Sequence, residues 1–78
     1  MSGEGKMSTI GEDRVRIDFN PSGSHKVDDI KAKSAALIDA CNQMKLGHPN
    51  EEARRCAAMA ELRYEEAATW AVKAATWG

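Results

Sequence analysis

The feature that most constrains this chain is its last third, residues 51–77, which contain neither Gly nor Pro. The segment is rich in Ala, Glu, Arg and Leu, which are strong helix formers. It predicts one continuous helix from Asn50 to Trp77, roughly 40 Å long at a rise of ~1.5 Å per residue. Asn50 is the predicted N-cap, and Glu51 and Glu52 suit the positive end of the helix dipole.

This C-terminal helix has two apolar rows at helical spacing. An alanine-rich row lets another backbone approach closely, whereas a row of Met, Leu and Trp side chains needs a partner of its own. Since the chain offers only one other substantial helix, we expect copies of the same chain to supply the remaining partners. The alanine-rich row is Ala53, Ala57, Ala60, Tyr64, Ala67, Ala71 and Ala74, and the bulky row is Cys56, Met59, Leu62 or Arg63, Trp70 and Trp77.

A second helix is predicted from Val27 to about Lys45, with Ser24 as its N-cap. Residues 46–49, Leu-Gly-His-Pro, then break the helix and return the chain. The two long elements are therefore expected to form an antiparallel helical hairpin. The apolar face of the second helix is predicted to contain Val27, Ile30, Ser34, Leu37, Ile38, Cys41 and Met44.

The N-terminal part of the chain is expected to lie outside this hairpin. We predict a flexible arm over residues 1–17 and a helical oligomerisation and ligand-binding domain over residues 18–78. Within residues 14–19, Arg-Val-Arg-Ile-Asp-Phe, apolar and charged side chains alternate, which predicts an extended segment. Residues 20–24, Asn-Pro-Ser-Gly-Ser, are typical of a turn.

A chain of 78 residues forms one domain and buries only a modest fraction of its surface. Domains of this size usually need disulfides, a metal or oligomerisation for stability. Cys41 and Cys56 lie at apolar positions of the helical patterns, without a Cys-x-x-Cys spacing, and are predicted to be buried, reduced thiols. His25 and His48 have no spaced Cys or carboxylate partner, so no metal site is predicted. Oligomerisation is the remaining means of stabilisation.

Composition and motifs exclude several classes of function. With 11 basic and 12 acidic residues, the chain lacks the basic excess of a DNA- or RNA-binding protein. No segment resembles a signal peptide or a membrane span, so we expect a cytoplasmic protein without a membrane partner. No nucleophile motif, phosphate-binding loop or zinc-protease motif is present, so neither an enzyme nor a cofactor is predicted.

An aromatic residue and several lysines remain as a candidate site. Phe19 is the only Phe in the chain and directly precedes the predicted turn, while Lys26, Lys31 and Lys33 lie close together in the next helix. Phe19 is either an anchor for the arm or a platform on which nucleobases stack. The lysines either pair with Asp28 and Asp29 on a solvated face or meet phosphates. In a symmetric oligomer, each such residue would recur around an axis and suit a cyclic, internally repeated ligand.

Three segments carry a family resemblance. Asp-Phe-Asn-Pro-Ser-Gly at 18–23, the helix start at 30–39 and the Glu-Ala-Ala-Thr-Trp-Ala step at 66–71 resemble the phage anti-CBASS proteins that sequester cyclic oligonucleotide signals. The similarity covers roughly residues 18–76. It implies an all-α fold in which a short N-terminal segment and two antiparallel helices interlock into a homohexamer. It also implies binding without catalysis, in the cytoplasm of the infected bacterial host.

The resemblance also assigns residues to two kinds of ligand site. Phe19 matches the aromatic residue that stacks on the bases of cyclic dinucleotides such as cGAMP, and Lys33 matches the lysine that meets their phosphates. Asn20, Pro21 and Lys26 belong to the same candidate site. Trp77, with Lys73 nearby, aligns where many members have an Arg near a separate site for cyclic trinucleotides. Many members have Tyr-His where this chain has Phe-Asn.

Two alternatives stay open at this point. A related branch of the family binds signals of the cyclic ADP-ribose type. A helical homo-oligomer that binds another protein and no nucleotide would share most of the same sequence features.

Overall fold

A computed structural model describes residues 7–77 of the chain, and over this range the fold is entirely helical. The three helices are α1 (Ile10–Val15), α2 (His25–Gly47) and α3 (Glu51–Ala75). No strand occurs in the described range, so the predicted all-α class and the two-helix hairpin are confirmed.

The hairpin forms because both long helices have local start signals. The Ser24 hydroxyl accepts from the N–H of Lys26 at 3.2 Å, and Asn50 Oδ1 accepts from the N–H of Ala53 at 3.0 Å, as predicted for N-caps. The helices run antiparallel, so that Val27 near the start of α2 lies beside the last turns of α3. α3 ends at Ala75, two residues before the predicted end.

The hydrophobic core is small and lies where all three helices meet. Ile38 of α2 is completely buried and packs with Val15, Ala35 and Ala68, while Ile17 covers the cluster from the side. Small side chains on both long helices allow their backbones to come close, as the alanine-rich row of α3 suggested. The buried alanines of α3 are Ala57 and Ala68, however, and Ala67 of the predicted row is exposed.

Residues 10–15 form a helix and residues 16–18 form a turn, so the extended segment predicted at 14–19 is wrong. Thr9 and Glu12 form a capping box, in which each side chain accepts from the other residue's backbone N–H. α1 ends at Val15, and its C-cap residue Arg16 has a φ of 56°, in the left-handed region. The alternating apolar residues belong to two different elements: Val15 lies in α1, and Ile17 lies in the turn that follows it. The proposed boundary at residue 17 stays a prediction, and residues 1–6 of the arm lie outside the described range.

A buried carboxylate connects all three helices. Glu61 of α3 is only 3% exposed, and its Oε1 accepts from Arg14 of α1 at 3.2 Å and from Lys45 of α2 at 2.8 Å. Burial would raise the pKa of Glu61, but the hydrogen bonds from Lys45 and Arg14 outweigh it and hold the pKa below its ordinary value. Arg14 also pairs with Glu65 at 2.5 Å, and this contact raises the pKa of Arg14.

The bulky row of α3 is exposed in the single chain. Trp77 is 78% exposed, and Met59, Leu62 and Trp70 are exposed as well. Cys41 is buried as predicted, but the prediction of a buried Cys56 is wrong for the single chain, in which this residue is exposed like the rest of the bulky row. Within residues 7–77, none of the helices combines the length and the apolar character that a membrane span requires.

Candidate functional site

Phe19 lies on a tight turn between α1 and α2. The N–H of Phe19 donates to the carbonyl oxygen of Arg16 at 2.8 Å, so the chain reverses directly after α1. The aromatic ring is 51% exposed. It is therefore neither buried as a core anchor nor free of contacts, and one part of its surface is open to a ligand.

Two cations lie against this ring. The Arg16 guanidinium carbon is 4.3 Å from the ring centroid, and Lys31 Nζ is 5.5 Å from it. Both distances are within the range of cation–π attraction. Of the two alternatives for Lys31, the ion pair with Asp28 on a solvated face is wrong. Lys31 is 6% exposed, and its Nζ donates to the carbonyl oxygens of Arg16, at 2.9 Å, and Phe19.

Asn20 shapes the turn that follows. Its Nδ2 donates to the carbonyl oxygen of Ser24 at 2.8 Å and to Asp28 Oδ1 at 2.9 Å. Its Oδ1 accepts from the Ser22 hydroxyl at 2.6 Å and from the N–H of Gly23 at 3.1 Å. Gly23 has a φ of 67°, which favours glycine. The Asn20 side chain is thus engaged within the turn.

The two lysines assigned to the site lie on the exposed side of α2. The Lys33 side chain is 76% exposed and pairs with Asp29 at 2.9 Å, as its spacing predicted. Lys26 is exposed in the first turn of the helix. Because an exposed ion pair of this kind contributes little to stability, Lys33 can exchange Asp29 for another anion at low cost.

An apolar concavity of about 240 Å³ lies beside the Phe19 turn. The turn residues Phe19, Asn20 and Pro21 form one wall, and Val72 and Thr76 of the last turns of α3 form the other. The structure therefore brings the predicted turn residues next to the C-terminal end of α3. A flat apolar group can enter between these walls and contact the Phe19 ring.

Lys73 and Trp77 form a second group with Trp70, on the outer side of the end of α3. Lys73 Nζ lies 5.3 Å from the Trp70 ring centroid and 6.0 Å from that of Trp77. With Ala74, the three residues surround an open concavity of about 380 Å³. Two aromatic faces and one cation again lie together, at the chain end where the second site was predicted.

Arg16 is the residue of the Phe19 site that the sequence analysis missed. The alternating pattern at 14–19 predicts an extended segment in which Arg16 points away from the side of Phe19. The Thr-x-x-Glu capping signature at 9–12 was present in the sequence and indicates a helix start. A short helix that starts at this signature ends near Arg16, which then lies in the turn that leads to Phe19.

The described residues contain no cluster of three or more His, Cys, Asp or Glu side chains able to hold a metal ion. The chemistry that the Phe19 ring offers is stacking, with the Arg16 guanidinium beside it to attract an anion. Among the described residues, the lining of the adjoining concavity includes neither Lys26 nor Lys33, so one chain does not bring these predicted site residues to the Phe19 ring.

Comparisons with known proteins bear on the whole hairpin. The family model described as "Acb2/Tad1, hairpin domain" matches residues 11–76, which include α2, α3, both walls of the concavity and all of α1 except Ile10. No curated protein and no solved structure matches the chain. The family model covers most of the chain, so the assignment of the chain to this family does not depend on a single motif. The chain belongs to the Acb2/Tad1 hairpin-domain family, the anti-CBASS sponge family, whose members are sequestering proteins rather than enzymes.

Proposed function

We propose that this protein binds and sequesters cyclic oligonucleotide second messengers without cleaving them, and so prevents activation of the bacterial CBASS anti-phage defence. The primary ligands are cyclic dinucleotides such as cGAMP. The observation that carries the proposal is the half-exposed Phe19 ring on a hydrogen-bonded turn, in a chain of this family.

The geometry of the turn suits one nucleotide unit of such a ligand. A base stacks on the open part of the Phe19 ring, beside the apolar wall of Val72 and Thr76, and each such stack is worth ~1–3 kcal/mol. The phosphates meet exposed cations, with Lys33 leaving Asp29 to bind them and Lys26 adding positive charge. Asn20 and Pro21 hold the turn in shape.

A second copy of the chain completes the site in this proposal. A cyclic dinucleotide has two bases and two phosphates, and one chain supplies a single Phe19 and a single Lys33. The exposed bulky row of α3 provides a surface through which copies can associate. We propose a homohexamer in which the helices of neighbouring copies interlock, with a separate site for cyclic trinucleotides near Lys73 and Trp77.

The protein acts, in this proposal, in the cytoplasm of the infected bacterial host, where the cyclic messengers are made. No catalytic residue is assigned. The ligand is held intact, which distinguishes the proposal from one in which the messenger is hydrolysed.

Thermal unfolding with a panel of cyclic di- and trinucleotides and cyclic ADP-ribose isomers tests the proposal. A ligand that binds only the folded state raises stability by about 2.7 kcal/mol at a hundredfold excess over Kd. We expect a clear rise in Tm with cyclic dinucleotides, and recovery of intact ligand after the protein is denatured. A rise only with cyclic ADP-ribose isomers would assign the chain to the other branch of the family.

The second candidate function is a helical homo-oligomer that binds another protein. The exposure of Leu62, Trp70 and Trp77 favours it, because apolar side chains of this size rarely stay uncovered together. A Tm that does not respond to any member of the panel, together with a defined protein partner, would support this candidate over the sponge.

A further inference from the structure

Lys31 and Lys33 lie two residues apart on α2 but in opposite environments. The Lys33 side chain is exposed and pairs with an exposed carboxylate. Lys31 is almost completely buried. A buried ammonium group is strongly unfavourable unless hydrogen-bond acceptors surround it, so the contacts of Lys31 show what keeps it there.

Those contacts are backbone carbonyl oxygens at both ends of the Phe19 turn. Lys31 Nζ donates to the carbonyl oxygens of Arg16, at 2.9 Å, and Phe19. The N–H of Phe19 donates to the same Arg16 oxygen. One side-chain atom of α2 therefore joins the end of α1 to the residue that carries the aromatic ring.

The turn needs such a support. Arg16 is in the left-handed region, which a residue other than glycine occupies only when its surroundings hold it there. Arg16 in turn lies over the Phe19 ring. Without the Lys31 ammonium, the Phe19 carbonyl oxygen loses this donor and the Arg16 oxygen keeps only the Phe19 N–H. The backbone at Phe19 and the position of Arg16 over its ring are then free to change.

We infer that Lys31 is a positioning residue for ligand binding, which holds Phe19 in its stacking orientation before the ligand arrives and does not contact the ligand. The inference rests on the proposed function. A preorganised ring binds more tightly because the cost of ordering it is met during folding and not during binding. Lys33, in contrast, acts directly as a phosphate-binding cation.

The variant Lys31→Met tests this inference, because it keeps an unbranched apolar stem and removes the three donors. Titration with cGAMP, or another cyclic dinucleotide that the panel identifies, is carried out at several salt concentrations. We expect the affinity to fall about tenfold or more, the scale of a lost base stack, with an unchanged dependence on salt. Amide hydrogen exchange at Phe19 should become faster in the absence of ligand.

Lys33→Met is the matched control. It should flatten the salt dependence of binding and leave hydrogen exchange at Phe19 unaltered. Unchanged affinity in Lys31→Met would overturn the inference. A flattened salt dependence in Lys31→Met would also overturn it, because Lys31 would then be a direct phosphate contact.

Two measurements keep the inference testable if Lys31→Met does not fold. Lys31→Arg retains the donors and should keep Phe19 protected from exchange and the affinity within about threefold, a small change on the free-energy scale. In the unmodified chain, the NMR signal of Lys33 Nζ should move on ligand addition while that of Lys31 Nζ stays, and the reverse result would refute the assignment. If the unmodified chain binds no cyclic oligonucleotide, the proposed function itself is refuted. If the unmodified chain binds one and Lys31→Met binds it equally well, only the role of Lys31 is refuted.

Discussion

The backbone N–H of Gly11 donates a hydrogen bond to the Asp39 carboxylate, with 2.7 Å between the nitrogen and Oδ1. This contact draws the first turn of α1 directly onto the backbone of α2. A Cβ atom at position 11 would lie 2.1 Å from the carbonyl oxygen of Ala35. The docking of α1, and with it the start of the Phe19 turn, thus depends on the absence of a side chain at residue 11.

Gly11→Ala is expected to destabilise the protein by about 1–3 kcal/mol, the usual effect of an added methyl group at a packed site. The Cβ atom meets backbone and cannot be accommodated by a rotamer change, so α1 must move away from α2. Urea unfolding followed by circular dichroism measures the change. Gly47→Ala is the control, because nothing lies within 4 Å of its added Cβ, and it should leave stability equal or higher. Equal stability of the two variants would contradict the close approach at Gly11.

Glu61→Gln is expected to cost about 1–3 kcal/mol, because Arg14 and Lys45 lose the ionised acceptor that they share. The pKa of Glu61 is lower in the folded chain than its ordinary value of 4.5. Its contribution to stability is therefore present above that value and is lost as the pH falls through the lower, folded pKa.

The pH dependence of Tm measures this contribution. The unmodified chain should lose stability as the pH falls below about 4.5, and Glu61→Gln should lose less over the same range. Glu66→Gln removes an exposed carboxylate that pairs with Arg63 at 3.4 Å, and it should change stability by no more than about 0.5 kcal/mol. Parallel acid profiles for the unmodified chain and Glu61→Gln would show that Glu61 does not set the acid response.

Phe19→Ala should abolish binding of cyclic dinucleotides, because each lost stack costs ~1–3 kcal/mol and a ligand with two bases loses two. Calorimetric titration measures the affinity, and sedimentation should show the same oligomer before and after the substitution. Phe19→Tyr keeps the flat ring and should retain binding. Affinity that survives in Phe19→Ala would remove this residue from the site.

Lys33→Ala should weaken ligand binding and reduce its sensitivity to salt, since an exposed phosphate contact is screened by ions. The opposite substitution is Asp29→Asn, which releases Lys33 from its ion pair. It should strengthen binding slightly, by up to about the 1 kcal/mol that a surface pair is worth. Titrations at low and high salt measure both effects. If neither variant alters the affinity, Lys33 acts only as a surface partner of Asp29.

Leu62→Glu should dissociate the proposed hexamer, because it places a charge in the exposed bulky row of α3. Sedimentation equilibrium should give a mass near six times the 8.5-kDa chain before the substitution and a smaller mass after it. Leu46→Glu, at an exposed position near the end of α2, is the control and should leave the mass unchanged. An unaltered mass for Leu62→Glu would exclude this row as the interface between copies.

Most of the helical framework follows from local signals that a single sequence displays. Ser24 and Asn50 start the long helices where their capping chemistry predicts. The predicted break at 46–49 begins two residues too early, because α2 continues through Gly47 and only residues 48–50 separate the two helices. Asp29 and Lys33 pair as their spacing on one helix predicts. The short helix α1 was missed because six residues cannot display a helical period, although its Thr9–Glu12 capping box was readable.

The family and the two-helix hairpin were therefore within reach of the sequence, because capping, helix propensity and chain reversal depend on neighbouring residues. The environments of Lys31, Glu61 and Cys56 were not. Lys31 is buried because its acceptors are the carbonyl oxygens of Arg16 and Phe19, which lie 15 and 12 positions earlier in the chain. Glu61 is buried because Arg14, 47 positions earlier, donates to its carboxylate. Cys56 is exposed in the single chain although it occupies an apolar position of the helical pattern. Such contacts depend on which faces of separate helices meet, and this relation between distant residues leaves no periodic pattern in the chain.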